Sequence, residues 1–399
     1  MSWTKMPLSE LADFCLGKML DEKKNKGEPL PYLANVNVRW GGFDLGDLRE
    51  MRFEQHEMER YGLKHGDIVM CEGGEPGRCA LWKDQVPGMM IQKALHRIRP
   101  HDSLDNRFLF YFFLHKGKNG GFSPLFAGAT IKPFPRQQLA KFEVDYPSLE
   151  IQKHVADILS AYDDLIENNR RRIQLLEESA RLLYREWFVH MRFPGHEHVK
   201  VVDGVPEGWQ EGRIDDFYIT SSGGTPSRKV LEYYEGEINW VKTQELQNNF
   251  IFKSEEKITE EAVKNSSAKI FPVNTILVAM YGATIGQIAI LANEAATNQA
   301  CCALMSKIEH ASYIFAYLFL RENKEGLINL SQGAAQNNIS QQIIRAFPML
   351  MPHEKIMREF DEYCQPIFLQ IRTIQQMQSL LQEARDLLLP RLMNGDIAV

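Results

Sequence analysis

The sequence lacks the markers of several protein classes. Its six cysteines form no CxxC pair and have no histidine at zinc-finger spacing, which argues against a zinc finger and against a disulfide framework. Apolar runs such as residues 108–114 are far shorter than the roughly 20 residues that a transmembrane helix needs. The sequence also does not open with a basic segment followed by an apolar one. We therefore expect a cytoplasmic protein with reduced thiols.

Signatures of catalysis are missing as well. A Gly-x4-Gly-Lys-Ser/Thr phosphate loop is excluded, since Ala12 and Phe112 stand where the upstream glycine of each Gly-Lys pair would be. There is no Gly-x-Ser-x-Gly elbow, no His-Glu-x-x-His, and no Asn/Asp-Pro-Pro-Tyr/Phe segment of the kind that holds a flipped base. His196 and His198 lie in a segment flanked by Pro and Gly, which favours a linker over a metal site. We predict no catalytic and no metal-binding residues.

Positive charge is not in excess. The chain has 46 Lys and Arg against 52 Asp and Glu, a net charge of −6, so any surface for a polyanion must be local. The content of 44% hydrophobic and 25% charged residues is typical of globular proteins. At about 150 residues per domain, a chain of this length predicts two or three domains.

What the sequence does contain is an internal repeat. A β-like run with a Gly turn at residues 67–74 returns at 275–284, with Gly73 matched to Gly282. Each run is followed by a predicted strand, then by a loop containing glutamine, at 91–95 and again at 297–301, and then by an aromatic-rich helix. The repeat predicts two similar α+β domains.

A long amphipathic helix is predicted after each domain. Apolar residues spaced three and four apart run from Ile151 to Trp187, and one constant offset takes them to Ile356 and Leu392. Both seams contain one doubled spacing of four at the same place. A helix of about 40 residues, about 60 Å long, outruns the side of a domain of this size. We expect the two helices to pack as an antiparallel coiled coil, the alternative being that each packs on its own domain.

These patterns divide the chain into five parts. We predict recognition-type domains at residues 1–147 and 207–351, long helices at 148–193 and 352–399, and a linker at 194–206.

The loops of the second half carry groups suited to binding DNA. Residues 222–228 combine backbone amides, hydroxyls and a guanidinium, and later loops add amides, which can read adenine, and small residues that let the backbone approach DNA. A plain turn, or Asn and Gln capping the backbone, would look similar for any single loop. The predicted DNA contacts in this half are Gly224, Thr225, Ser227, Arg228, Lys242, Thr243, Tyr281, Gly282, Thr284, Gln299, Gln336, Asn337, Asn338 and Ser340.

Equivalent segments of the first half supply mostly basic residues. The predicted DNA contacts there are Arg39, Arg78, Gln92, Lys93, Arg97, Lys132 and Arg136.

The ends of the two helices carry a surplus of large apolar side chains. More aromatic area is present there than one helix partner needs, which predicts a docking surface for another protein. The predicted partner contacts are Tyr184, Trp187, Phe188, Phe193, Leu388 and Leu392.

Together these motifs resemble the specificity subunits of Type I restriction-modification systems. The resemblance rests on Gly-Gly-Thr-Pro-Ser at 223–227, Tyr-Gly-Ala-Thr-Ile-Gly at 281–286, Asn-Gln-Ala-Cys-Cys at 298–302 and the helix end at 383–395. It covers essentially the whole chain. The first domain departs from it by lacking the Gly-Gly-Thr-Pro loop, which implies that the two halves read different sequences.

The resemblance implies a non-catalytic subunit that reads a bipartite DNA site, one half per domain, with the helix pair as a spacer. It further implies two methyltransferase subunits, which use S-adenosylmethionine, and two restriction subunits, which use ATP and Mg²⁺, as partners. This chain itself would hold no cofactor. Two alternatives stay open: a stand-alone DNA-binding regulator, and an enzyme whose active site follows no familiar pattern.

Overall fold

The chain forms two units, each with its own helices and strands. The computed structural model describes residues 3–21, 25–123, 134–330 and 338–397. The first unit comprises Met1–Glu167 with Leu380–Val399, and the second comprises Asn168–Ser379. Mixed helix and strand content is confirmed in both. The unit boundaries differ from the predicted domains, because each unit takes in part of both long helices.

The first unit is built from short strands and four short or medium helices in its described part. Its strands are β1 (Thr4–Pro7), β2 (Ala12–Leu16), β3 (Glu28–Leu33), β4 (Val38–Arg39), β5 (Gly42–Phe43), β6 (Arg49–Phe53), β7 (Ile68–Cys71), β8 (Cys79–Leu81), β9 (Met90–Ile91), β10 (Leu95–Pro100) and β11 (Glu143–Tyr146). Its helices are α1 (Leu8–Leu11), α2 (Gln55–Tyr61), α3 (Asn106–Lys118) and α4 (Arg136–Ala140), followed by the long α5 (Leu149–Tyr184). The main sheet has the order β2-β10-β7-β8, and a second sheet has the order β6-β3-β9.

The second unit repeats this plan. Its strands are β12 (Val201–Val202), β13 (Val205–Pro206), β14 (Gln210–Arg213), β15 (Tyr218–Ser222), β16 (Ile238–Val241), β17 (Asn249–Ile251), β18 (Glu256–Ile258), β19 (Ile270–Phe271), β20 (Ile276–Ala279), β21 (Ile288–Leu291), β22 (Ala295–Thr297), β23 (Cys301–Ser306) and β24 (Pro348–Met351). Its helices are α6 (Ile214–Phe217), α7 (Glu260–Lys264), α8 (Tyr313–Glu322), α9 (Lys324–Asn329), α10 (Gln341–Ala346) and the long α11 (Glu354–Met393). The sheets run β15-β23-β20-β21-β17 and β18-β16-β22-β19.

The central strand of each main sheet is buried on both faces. In β20, Ile276 and Val278 pack into the core that holds α8, while Leu277 and Ala279 pack into a second core. Because side chains alternate across a strand, an uninterrupted apolar run can serve two cores at once. Strand β7 is buried in the same way, since Ile68 lies in one core and Val69 in the other. The strands are thereby fixed, and so are the loops that leave their ends.

The aromatic-rich helices begin at side-chain caps. The Asp105 carboxylate accepts hydrogen bonds from the backbone amides of Arg107 (2.9 Å) and Phe108 (3.0 Å) at the start of α3. Ser312 does the same for Ile314 (3.1 Å) at the start of α8. These caps satisfy amides that would otherwise have no partner in the first helical turn.

Parts of both long helices pack into the core of each unit. In the first unit, Val155 and Leu159 of α5 share a buried cluster with Leu389 and Leu392 of α11. In the second unit, Ala180 and Tyr184 of α5 share a cluster with several α11 residues: Phe360, Cys364, Phe368 and Ile371. Among the described residues, no helix combines the length and the apolar character needed to cross a bilayer.

One half-buried carboxyl group in the second unit is costly to ionise. Asp361 of α11 accepts a hydrogen bond from the hydroxyl of Ser312 (2.6 Å), and burial raises the pKa of Asp361 to about 6. The folded state therefore binds this proton more tightly than the unfolded state does. Between about pH 4 and about pH 6, stability should fall as the pH rises, because ionisation is easier in the unfolded chain.

Asp361→Asn should stabilise the full-length chain at pH 7, since the amide oxygen still accepts from Ser312 and no charge is buried. Each kcal/mol gained should raise the thermal midpoint by about 2–4 °C in a unit of this size. Thermal unfolding followed at pH 5, 6 and 7 checks this. An unchanged midpoint at pH 7 would show that Asp361 ionises in the folded chain without penalty.

Candidate nucleic-acid interface

The loops of the second unit that were predicted from the sequence to contact DNA lie close together. Backbone hydrogen bonds link the ends of β15, β16, β20 and β22 with the segment before α10. These bonds run, amide to carbonyl, from Gly224 to Thr297 (2.9 Å), Asn298 to Val241 (3.0 Å), Met280 to Ala300 (2.9 Å) and Ile339 to Met280 (3.0 Å). We call residues 223–228, 242–245, 281–284, 298–300 and 338–340 the second-unit reading loops.

The glycine pair allows the first of these loops to pack closely. A Cβ on Gly224 would lie 2.2 Å from the carbonyl carbon of Ser267, a backbone atom that cannot move aside easily. The indole Nε1 of Trp240 donates a hydrogen bond to the carbonyl of Gly224 (2.9 Å). Gly224 is buried, so the prediction that it contacts DNA is wrong: it shapes the loop instead.

Exposed polar groups follow the glycine pair directly. Thr225, Ser227 and Arg228 are exposed, and the guanidinium of Arg228 lies over the rings of Tyr234 (4.1 Å) and Trp240 (5.0 Å). A planar cation on two aromatic faces is held in place yet keeps its outer edge in solvent.

Both predicted cations of these loops have carboxylate partners. Arg228 forms an ion pair with Glu256 (2.5 Å), and the ammonium of Lys242 lies 3.0 Å from both Glu255 and Glu256. This pairing was not predictable from the sequence, because the two glutamates lie in a segment without a distinctive motif.

The remaining second-unit candidates differ in exposure. Tyr281 and Gly282 are exposed, Thr284 is half-buried in the turn Gly282–Thr284, and Gly282 has a φ of 77°, which suits glycine. Gln299 is exposed at the tip of its loop, and Thr243 and Asn338 are half-buried.

Two further candidates are placed differently. The hydroxyl of Ser340 accepts a hydrogen bond from the amide of Ile343 (3.2 Å), so it caps α10. Gln336 and Asn337 lie outside the described residues.

The corresponding loops of the first unit are held by an equivalent set of backbone hydrogen bonds. We call this set the loop frame, or frame. Its backbone hydrogen bonds run from Gly17 to Leu95 (3.0 Å), Lys18 to Ile91 (3.0 Å), Gln92 to Leu33 (3.0 Å), Glu72 to Ala94 (2.8 Å) and Phe134 to Glu72 (2.8 Å). Each has a counterpart in the second unit, including Gly223 to Cys301 (3.3 Å). The frame matches Glu72 with Met280, so Gly73 corresponds to Tyr281, and the predicted match of Gly73 to Gly282 is wrong by one residue.

Lys18 takes the place that Gly224 has in the second unit. Its side chain is buried, and its ammonium donates to the carbonyl of Arg52 (2.9 Å) and to the carboxylate of Glu57 (2.5 Å). Burial opposes the ionisation of Glu57, but the Lys18 ammonium and the hydrogen bond from the Glu54 amide together outweigh it and hold the pKa of that carboxyl below its ordinary value. This buried pair replaces the missing Gly-Gly-Thr-Pro loop, and the sequence analysis did not find it.

Three first-unit candidates have structural partners. Arg97 is buried and donates to the carbonyls of Glu59 (3.0 Å) and Gly62 (3.2 Å), so its prediction as a DNA contact is wrong. Arg78 is largely buried, with bonds to the Asn35 carbonyl and the Glu75 carboxylate. The side-chain oxygen of Gln92 accepts from the amide two residues further on, which closes its own turn (3.1 Å).

Three other basic candidates of the first unit are exposed. Lys93 lies on the loop that corresponds to Gln299, and the guanidinium of Arg136 lies 5.3 Å from the ring of Phe14. Arg39 is paired with Asp44 (3.1 Å). Lys132 lies outside the described residues.

The predicted partner contacts are core residues. Tyr184, Trp187 and Phe193 are buried in the second unit, where Trp187 packs on Phe360 (5.7 Å between ring centroids). Leu392 is buried in the first unit. The two half-buried members, Phe188 and Leu388, pack against the same clusters. The prediction that Tyr184, Trp187, Phe193 and Leu392 form a docking surface is wrong, because the chain's own cores bury these four side chains. For Phe188 and Leu388, which keep part of their surface exposed, it stays a prediction.

Comparison with known proteins agrees with the duplicated plan. The family model for the Type I restriction modification DNA specificity domain matches residues 2–178 and again 206–372. A Type I restriction enzyme specificity subunit from Methanocaldococcus jannaschii is 24% identical over 340 residues, which cover 84% of this chain and 78% of the relative. A specificity subunit from Haemophilus influenzae is 23% identical, and the match covers 98% of this chain and 100% of that relative.

A solved structure shares the fold. The S subunit of a Type I restriction-modification system from M. genitalium superposes with a TM-score of 0.63 at 16% identity, covering 98% of this chain and 96% of that one. Since the family model matches both halves of a chain whose two units carry the same loop frame, the chain belongs to the Type I restriction-modification specificity subunit family.

Proposed function

We propose that this chain reads a bipartite DNA site, one half-site per unit, and positions methyltransferase and restriction subunits on it. The observation that carries the proposal is the duplicated frame: the same backbone hydrogen bonds gather the reading loops in both units, while the side chains on those loops differ. Two frames of one design with different side chains suit two different half-sites.

The exposed groups on the second-unit reading loops suit the edges of base pairs. The amide of Gln299 can accept and donate at once, as paired contacts to adenine require, and Thr225 and Ser227 offer hydroxyls to bases or phosphates. The groups that read bases are thus carried by a rigid backbone frame.

We further propose that the two long helices form an antiparallel coiled coil that spaces the half-sites. α5 has 36 residues and α11 has 40, or about 54 and 60 Å at 1.5 Å per residue. Two readers on one face of DNA sit about one helical turn apart, roughly 34 Å, which helices of this length can span. The chain itself would be non-catalytic, with S-adenosylmethionine, ATP and Mg²⁺ bound by the partner subunits.

Exposed leucines lie at equivalent positions of the two long helices. We propose these leucines as the partner surface, since the aromatic residues predicted for that role are largely packed in the cores. Leu175 and Leu182 of α5 are 72% and 52% exposed, and the offset that relates the helices takes them to Leu380 and Leu387 of α11, which are 55% and 72% exposed. Leucines seven residues apart lie on one helix face. A duplicated apolar face fits two copies of one partner, which supports two methyltransferase subunits, with two restriction subunits joining them.

The Gln299 amide provides a direct test of base reading. Gln299→Ala in the complex assembled with its methyltransferase subunits should weaken binding to the cognate duplex by about 1–3 kcal/mol. Binding to a scrambled duplex should change little, because non-specific binding depends on phosphates. The cognate sequence is obtained by mapping methylated adenines in host DNA with and without the gene.

The exposed Thr225→Ala variant, tested on the same two duplexes, provides a comparison on a neighbouring loop. Equal losses on both duplexes for Gln299→Ala would mean that this amide holds the loop or the DNA backbone and does not read a base.

A further inference from the structure

The carboxylates of Glu255 and Glu256 form ion pairs with the two cationic side chains that were predicted to contact DNA in the second-unit reading loops. We propose that these two carboxylates compete with DNA phosphates for Arg228 and Lys242 and so reduce binding to non-specific DNA. They would then contribute to sequence specificity without touching a base. This inference rests on the proposed function, since it concerns the same loops.

The ion pairs form one connected network. Glu256 uses one carboxylate oxygen for Arg228 (2.5 Å) and the other for Lys242 (3.0 Å), and Glu255 provides a second carboxylate to Lys242 (3.0 Å). Two cations thus face two carboxylates, and this corner of the unit presents no net positive charge to a polyanion.

The protein backbone holds these groups in place. The Glu245 carboxylate accepts hydrogen bonds from the amides of Lys242 (2.8 Å) and Glu255 (3.0 Å), which ties the two segments together. Ser254 accepts from the amide of Trp240 (2.9 Å), on which Arg228 is stacked. The pairing is therefore part of the local fold, unlike a chance meeting of two long side chains on an open surface.

The competition persists at neutral and mildly acidic pH. The hydrogen bond from Arg228, reinforced by that from Lys242, outweighs the effect of burial and holds the pKa of Glu256 below its ordinary value. The carboxylate thus stays ionised, and only another anion, such as a phosphate or salt, can displace it.

The consequence for DNA binding follows from ion exchange. A phosphate that reaches Arg228 or Lys242 must first displace a carboxylate, so one ion pair is exchanged for another and little is gained. On a cognate site, base contacts add binding energy that does not depend on this exchange. On other sequences no such compensation exists, and affinity stays low.

The test uses the assembled methyltransferase complex carrying Glu255→Gln with Glu256→Gln. Its affinity for a scrambled duplex should rise by about tenfold, and the slope of log K against log salt should steepen by about 1–2, as each freed cation neutralises a phosphate. The ratio of cognate to scrambled affinity should fall.

A matched control is offered by Glu237→Gln with Glu260→Gln. These residues pair with Lys257 and Lys264, and the register of Ile238 with Ile258 places them at the opposite end of the β16–β18 ladder. The control removes the same charge from the same unit, so it reports the effect of net charge alone. Complex assembly should match wild type in both double variants, and thermal unfolding reports any stability lost with the removed ion pairs.

Combined variants separate competition from general electrostatics. Adding Arg228→Ala and Lys242→Ala should abolish the gain seen with the two glutamines, whereas in the wild-type background the same pair should change scrambled-duplex affinity little. The inference is overturned if the glutamine pair leaves affinity and salt slope unchanged, or if the control gives the same gain. Equal wild-type affinity for cognate and scrambled duplexes would instead refute the proposed function, while a gain with the glutamines would still support the competition.

Discussion

Exchanging residues 1–147 for those of a family member with a different target should change one half of the methylated motif and leave the other half intact. Each unit has its own buried clusters and its own frame of backbone hydrogen bonds, so the reading loops of one unit do not depend on the sequence of the other. The motif is measured by mapping methylated bases in cells that carry the hybrid. The expected change is complete, since under the proposed function the replaced loops determine the half-site.

The contacts between the first domain and α5 indicate how that hybrid should be designed. The junction falls between β11 and α5, and the buried Gln152 of α5 bonds back to the amide of Asp105 (2.8 Å) and the carbonyl of Pro147 (2.9 Å). Tyr111 and Arg107 pair with Asp163 and Asp157 of the same helix, both at 2.7 Å. A donor segment that keeps the partners of these α5 side chains should fold on the native helix.

The reciprocal exchange of residues 207–351 is the control, and it should change the other half of the motif. A hybrid in which both halves change would refute the model of one reader per unit.

Replacing Leu175 and Leu182 with glutamate should leave a complex with one methyltransferase subunit in place of the two proposed for the wild type. Burial of a leucine contributes about 1.5–3 kcal/mol, so losing two of them should weaken one docking site by about 150-fold or more. Replacing Leu380 and Leu387 should remove the other copy. Native mass spectrometry of the purified complexes counts the subunits.

Leu165→Glu is the matched control. Leu165 is exposed on α5, but the residue at the equivalent place on α11 is Gln370, so it does not belong to the duplicated face. This variant should keep both subunits. Unchanged stoichiometry in all three variants would place the partner surface elsewhere, and a wild-type chain that binds no methyltransferase would favour a stand-alone DNA-binding regulator.

Periodic patterns made much of the fold predictable. The order of strands, the aromatic helices and the long helices follows from spacings that are repeated along the chain, and Thr297 does lie where Ile91 lies in the first unit. Burial was harder to predict. Trp187 belongs to the core because Phe360 of α11 lies against it, and Phe193 because it packs on Trp209; local spacing does not reveal these tertiary contacts.

The partners of charged residues in the candidate site were equally hard to predict. Arg97 was predicted to bind DNA because it is basic and lies near a loop, but backbone carbonyls of a distant segment take its donors. The buried ion pair of Lys18 was not predicted, because its partner Glu57 is far away in sequence. Charge type is visible in a sequence, whereas the partner that neutralises it is set by the fold.

The frame that holds the reading loops has a consequence for how such proteins change over time. Its bonds join backbone amides to backbone carbonyls, which every residue except proline can supply. Substitutions at exposed loop positions such as Gln299 or Lys93 therefore leave the frame intact, and new target sequences can be sampled at little cost in folding. If each of the two frames serves one half-site, as proposed, the half-sites can change separately, so the number of accessible specificities grows as the product of the two.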